Sequence, residues 1–269
     1  MGVLTAQQKR DATALFKEVQ ERLATAFEQV DGAAKFVRTP WQKPDGPGGG
    51  VMGVIRGQVV EKAGANVSEV SGAEYPALEG EHKGKPFFAA GVSTITHMMN
   101  PFAPIGHMNV RLIEVGDEFW VGGGADLTPF KPFAEDTEAF HGALRKACDV
   151  VGGDSYQHFH KWCDEYFYIP HRKSARGVGG IFFDYQKLEF KQALAFLRAT
   201  AEAYVTTFPA ILERRKATPY TEADKDGQLY WRGRYAEFNL AYDRGTKFGL
   251  MTGGNIEAIF VSLPPVVKW

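Results

Sequence analysis

Pro86-Phe-Phe-Ala-Ala-Gly-Val-Ser-Thr-Ile-Thr96, Met108-Asn-Val-Arg-Leu-Ile-Glu-Val115 and Glu118-Phe-Trp-Val-Gly122 decide the fold. All three runs are rich in Phe, Val and Ile and read as strands. Working back towards the N-terminus, Val51–Val70 alternates in short runs and reads as strands and turns. Lys43–Gly50 reads as a loop and Lys35–Trp41 as a strand. Residues 5–31 form an amphipathic helix, because Leu15, Phe16, Val19, Leu23, Phe27 and Val30 recur at helical spacing. Thr5 with Gln8 makes a capping box, and Gly32 stops the helix.

Working forward, the chain turns helical. Glu135–Val151 sets Phe140, Leu144 and Val151 on one face, and Ser155–Tyr168 reads as a second helix. Val178–Asp184 returns to strand. Phe190–Lys216 is the longest helical run, which Pro209 must kink or divide. Thr221–Trp231 reads as a short helix. Arg234–Tyr242 and Ala258–Leu263 read as strands, with Asp243-Arg244-Gly245 as a turn between strands. Strands thus cluster early and recur late around a helical middle. This is not a regular βαβ alternation, so an α+β fold with a mainly antiparallel sheet is expected. No repeat, linker or low-complexity tract divides residues 1–269, so a single domain is expected.

Composition narrows the function. Of the 269 residues 44% are hydrophobic and 23% charged, which is the range of globular proteins. A net charge of −1 provides no global field for nucleic acid, so an anionic ligand needs a local group of Arg and Lys. Two cysteines make no disulfide scaffold and suit a reducing compartment. The polar N-terminus carries no signal-peptide pattern, and no stretch has the roughly 18 apolar residues of a membrane span. A cytoplasmic location is expected. Aromatics reach 13%, enough to line a site for a flat apolar ligand, although most such rings belong to cores.

Familiar motifs fail. Gly48–Gly53 has dinucleotide-fingerprint spacing but follows a proline-containing loop and precedes no helix. Ser93 lies within a strand, not in a nucleophile elbow. No phosphate-binding loop and no His-Glu-x-x-His occurs. Polar and titratable residues gather instead in four stretches: Gly91–His97 with Asn100–Pro104 and His107–Arg111; Gly122–Phe130; Tyr166–Gly180; and Tyr230–Gly245 followed by Thr252–Asn255.

Within these, GGGADLTPF, CDEYFYIPHR, RGVGGIFFDY and RGRYAEFNLAYDRGT occur in that order. From Phe87 to Trp269 the chain resembles the oxygen-dependent coproporphyrinogen III oxidases. The resemblance implies a large antiparallel sheet flanked by helices on both faces, and a homodimer. It implies oxidative decarboxylation of two propionates of coproporphyrinogen III to vinyl groups, giving protoporphyrinogen IX. Molecular oxygen is then the co-substrate; a divalent metal is an open addition, and no flavin, haem or NAD is expected. His107 matches a proton donor. His97, His107, His141 and His171 match proposed metal ligands, although their spacing alone suggests no site. Ser93, Asn109, Val110, Arg111, Gly253, Gly254 and Asn255 match substrate contacts. Arg111 suits a tetracarboxylate, since guanidinium pairs carboxylates bidentately. Many relatives carry a basic residue where this chain has Asn255, which weakens the case for charge pairing there. Asp126, after three glycines, is the carboxylate expected beneath the macrocycle, accepting pyrrole N–H groups and stabilising loss of one proton. The alternative for Asp126 is a turn cap. Competing readings are a tetrapyrrole carrier without turnover and a metal-dependent oxygenase of another substrate. The conjunction of Asp126, His107 and Arg111 argues against the carrier.

Overall fold

A computed structural model describes residues 3–43, 46–75, 80–251 and 255–269. Helix α1 (Ala6–Asp31) starts at the expected Thr5/Gln8 capping box and ends on Gly32 at φ 86°. A meander follows: β1 (Val37–Gln42), β2 (Gly48–Ile55), β3 (Lys62–Gly72), β4 (Phe87–His97), β5 (Ile105–Val115) and β6 (Glu118–Thr128). Helices α2 (Ala134–Cys148) and α3 (Ser155–Tyr166) come next. A small hairpin, β7 (Tyr168–Ile169) and β8 (Ser174–Ala175), precedes β9 (Gly179–Gln186). The chain closes with α4 (Phe190–Arg215), α5 (Glu222–Ala241), α6 (Arg244–Met251) and α7 (Ile256–Phe260). Seven strands form one sheet in the order β1-β2-β3-β4-β5-β6-β9, every pair antiparallel. The α+β expectation therefore holds.

Each strand presents alternate residues to opposite faces. One face packs Val92, Met108, Val110, Leu112, Val121 and Ala125 against Phe16 and Phe27 of α1 and Phe196 and Phe208 of α4, forming the main core. The other face packs Ile95 and Ile105 on Tyr235 of α5 and on Val261. Further along, Phe182 meets Phe167 and Phe238. Helices thus cover both faces. Among the described residues no helix is long and apolar enough to cross a membrane.

Several expectations are corrected. Arg234–Tyr242 is not a strand but the second half of α5, which runs unbroken from its own Thr221/Asp224 capping box. Aromatic enrichment suggested a strand, yet buried Tyr235, Phe238 and Asn239 have helical spacing. Ala258–Leu263 likewise contains most of α7, and Asp243-Arg244-Gly245 leads into α6 instead of joining strands. Lys43–Gly50 is only partly loop, since Gly48–Gly50 pair with Val70, Glu69 and Ser68 as the start of β2. Pro209 does not divide α4, whose helical run continues through it.

Candidate active site

On β5, His107, Asn109 and Arg111 stand two residues apart and share one face. Register sets Ile95, Ser93 and Gly91 of β4 beside them, and Asp126, Gly124 and Gly122 of β6 on the other side. This face floors a cavity of about 710 Å³, within the range of small-molecule sites. Tyr166, Phe167, Phe182 and Tyr235 wall it, and α6 and α7 contribute Thr246, Asn255 and Ile259. Ser93, His107, Asn109, Arg111 and Asn255 line the cavity. Val110 does not: its side chain points into the main core and is fully buried. Gly253 and Gly254 lie outside the described residues. Asn255 uses its side-chain oxygen to accept from the Ala258 N–H, 3.0 Å away, and so caps α7.

Asp126 is 3% exposed and does not line the cavity. Its Oδ1 lies 2.9 Å from His107 Nδ1, and its Oδ2 accepts from Arg176 Nη2 at 2.5 Å. Burial alone pushes this carboxyl up; the Arg176 charge and the His107 hydrogen bond outweigh burial and hold it below the usual carboxylate range. The carboxylate is therefore an acceptor, so His107 donates through Nδ1–H and keeps Nε2 for exchange. Arg176 stacks 3.7 Å from the Phe167 ring centroid, with Tyr235 and Phe238 also close. Both oxygens of Asp126 are engaged by protein partners, and His107 is the member of the pair that lines the cavity.

Besides the exposed Glu74, Asp184 and Asp243 bring carboxylates to the cavity. Asp184 on β9 pairs with Arg111 at 2.9 Å, while Arg111 also donates to Asn109 Oδ1 at 3.0 Å. Asp243 accepts from Tyr166 Oη at 2.8 Å and from Thr246 N and Oγ1 at 2.8 and 2.7 Å. Burial pushes Asp243 up, but these hydrogen bonds, with the His107 charge, bring it below its ordinary value. Burial and the Asp243 charge push Tyr166 up to about 12, so Tyr166 remains a donor. The Arg244 guanidinium sits 4.9 Å from the Tyr166 ring centroid. Sequence reasoning passed over Asp243 and Arg244 by reading them as a turn. The signal present was Asp243 three residues before Thr246, a helix-start spacing.

The four expected metal-ligand histidines do not converge. His97 is fully buried and bonds the Ser262 carbonyl at 3.0 Å. His107 belongs to Asp126. His141 contacts Tyr156 Oη at 2.8 Å and the Val178 carbonyl at 3.0 Å. His171 contacts Tyr242 Oη and Glu237 Oε2 at 2.8 and 2.6 Å. Among the described residues no three His, Cys, Asp or Glu side chains group to hold a cation. These four residues do not fit a shared metal. His97 instead helps tie α7 and the turn after it to the sheet. Lys62, which donates to the Leu263 carbonyl at 2.8 Å, and Asn66, which donates to the Ala258 carbonyl at 3.0 Å, complete that attachment.

Glu237 on α5 gathers His171, Arg172 and Trp269. The Arg172 hydrogen bond, against burial and with help from His171, holds Glu237 at about 2 instead of 4.5. A depressed carboxylate adds stability above its unfolded value and loses it as pH falls through the folded value. Glu237→Gln is therefore expected to lower stability at pH 6 and to differ progressively less from the parent between pH 4.5 and 2. Denaturant midpoints across that range check it; a constant gap would sink the assignment.

A family model described as coproporphyrinogen III oxidase matches residues 11–269. Oxygen-dependent coproporphyrinogen-III oxidases of Rickettsia bellii, from strains OSU 85-389 and RML369-C, are each 48% identical to this chain over 262 residues, spanning 94% of it and 91% of the relative.

Proposed function

The chain belongs to the coproporphyrinogen III oxidase family, and from that premise we propose how its cavity performs the family's reaction. The reaction is the oxygen-dependent oxidative decarboxylation of two propionates of coproporphyrinogen III to vinyl groups, a step of haem biosynthesis yielding protoporphyrinogen IX. For each propionate the carboxyl leaves as carbon dioxide. A hydrogen leaves the carbon attached to the pyrrole with an electron pair, and the double bond closes between the two side-chain carbons. Oxygen accepts the two electrons and, with two protons, balances as hydrogen peroxide.

In our reading Arg111, which lines the cavity, pairs with a substrate carboxylate, since a guanidinium matches that geometry bidentately. His107 exchanges a proton through Nε2, with Asp126 fixing its tautomer and orientation. Asp243, ionised and facing the cavity, accepts from pyrrole N–H groups, the role the sequence suggested for Asp126. It favours loss of one pyrrole proton, which leaves an electron-rich ring able to react with oxygen. The observation that carries this reading is the Asp126–His107 pair at the floor of a cavity that Arg111 and Arg244 also line. Incubation with coproporphyrinogen III in air and under nitrogen, followed by chromatography, tests it. Two-vinyl product is expected only in air; binding without product would favour the carrier.

We propose further that no shared site of the four histidines takes part. Dialysis against a strong chelator is expected to leave turnover intact. Loss restored by one particular metal alone would overturn this. A cytoplasmic homodimer belongs to the same proposal. Support comes from edge strand β1, where Val37 is 69% exposed. Sedimentation at micromolar concentration is expected to give a species of twice 29.8 kDa.

A further inference from the structure

Arg111 is already neutralised before any substrate arrives. Its Nη2 lies 2.9 Å from Asp184 Oδ2. The Asp184 carboxylate is itself held on its other side, where Oδ1 accepts from the Tyr185 N–H at 3.0 Å. Tyr185 sits at φ 50°, in the left-handed region that side-chain-bearing residues disfavour. The ion pair lies across Gly122: a Cβ there would strike Asp184 Oδ1 and the Arg111 guanidinium. Backbone strain and a side-chain-free position on β6 both accommodate one ion pair. Both partners line the cavity and both are partly exposed, at 29% and 17%.

We propose that Asp184 is a positioning residue that exchanges Arg111 with the substrate, and so makes the site's hold on a ring depend on whether that ring still carries its carboxylate. A propionate on Arg111 competes with Asp184 for the same donors and sits beside a like charge. When the carboxyl departs as carbon dioxide, the competitor disappears and Asp184 recovers Arg111. The vinyl-bearing ring then has no ionic tether, and a ring still bearing a propionate can take its place. Two successive decarboxylations on one macrocycle need such a release between them.

The inference rests on Arg111 binding a substrate carboxylate. Asp184→Asn keeps the shape but removes the competing charge. The anaerobic dissociation constant for coproporphyrinogen III is expected to fall about two- to fivefold, the range of a partly exposed ion pair. In air kcat is expected to fall too, with a pre-steady-state burst as release becomes limiting, and Asp184→Glu should return both values towards the parent. A merely structural role would weaken binding, not tighten it. Asp184→Ser serves as a second variant if the amide fails to fold. Should Arg111→Ala leave binding unchanged, the reading of Arg111 fails. Should Arg111→Ala weaken binding while neither Asp184 variant tightens it, the exchange proposed here is wrong.

Discussion

Asp126→Asn is expected to lower kcat by about 10²–10³ while KM changes far less, the signature of an interaction needed mainly in the transition state. The carboxylate can only accept from His107 Nδ1, across 2.9 Å. An amide of nearly equal volume can turn its NH2 towards Nδ1 and stabilise the other tautomer, which occupies Nε2 with hydrogen. The imidazole would remain in place with its proton on the wrong nitrogen. The same change removes the counter-charge of Arg176, whose side chain is 2% exposed. Breaking a buried pair costs about 3–5 kcal/mol, so the comparison must be made where the variant is folded, as judged by circular dichroism. If the folded variant keeps most of its turnover at saturating substrate, Asp126 does not control His107.

Arg111→Ala is expected to act on the other parameter, raising KM about tenfold or more. A charge-assisted hydrogen bond contributes about 1.5–3 kcal/mol, and about 1.4 kcal/mol is a factor of ten. Because the carboxylate contact exists in the bound ground state as well as later, kcat should change less. Steady-state assays with coproporphyrinogen III at several concentrations separate the two effects. A fall in kcat with KM unchanged would move Arg111 from binding to chemistry.

These two residues also show what a sequence can and cannot disclose. The two-residue spacing of His107, Asn109 and Arg111 was readable because a strand's period is a local property. That His107 stands opposite Asp126 depends on the register of β5 against β6, which no spacing within either strand specifies. Val110, an apparent contact, is turned towards the core by the same local alternation. The aromatic character of Arg234–Tyr242 outweighed its helical spacing, and misreading α5 carried Asp243 with it into a turn. The scattered histidines looked alike as residue types. Only their separate partners, Ser262, Asp126, Tyr156 and Glu237, distinguish them.

The cover of the cavity differs in kind from its floor. The floor is three central strands whose residues are mostly buried, bonded on both edges within the seven-stranded sheet. Of α7, no residue is fully buried; three tethers from Lys62, Asn66 and His97, with Val261 just beyond, hold the segment down. Regions with few buried apolar contacts open at a small fraction of the global unfolding free energy. Amide hydrogens of α7 will therefore exchange with deuterium long before those of β4–β6. A macrocycle bound in the cavity is expected to pack against that segment, so slowing of its exchange on adding substrate would report occupancy.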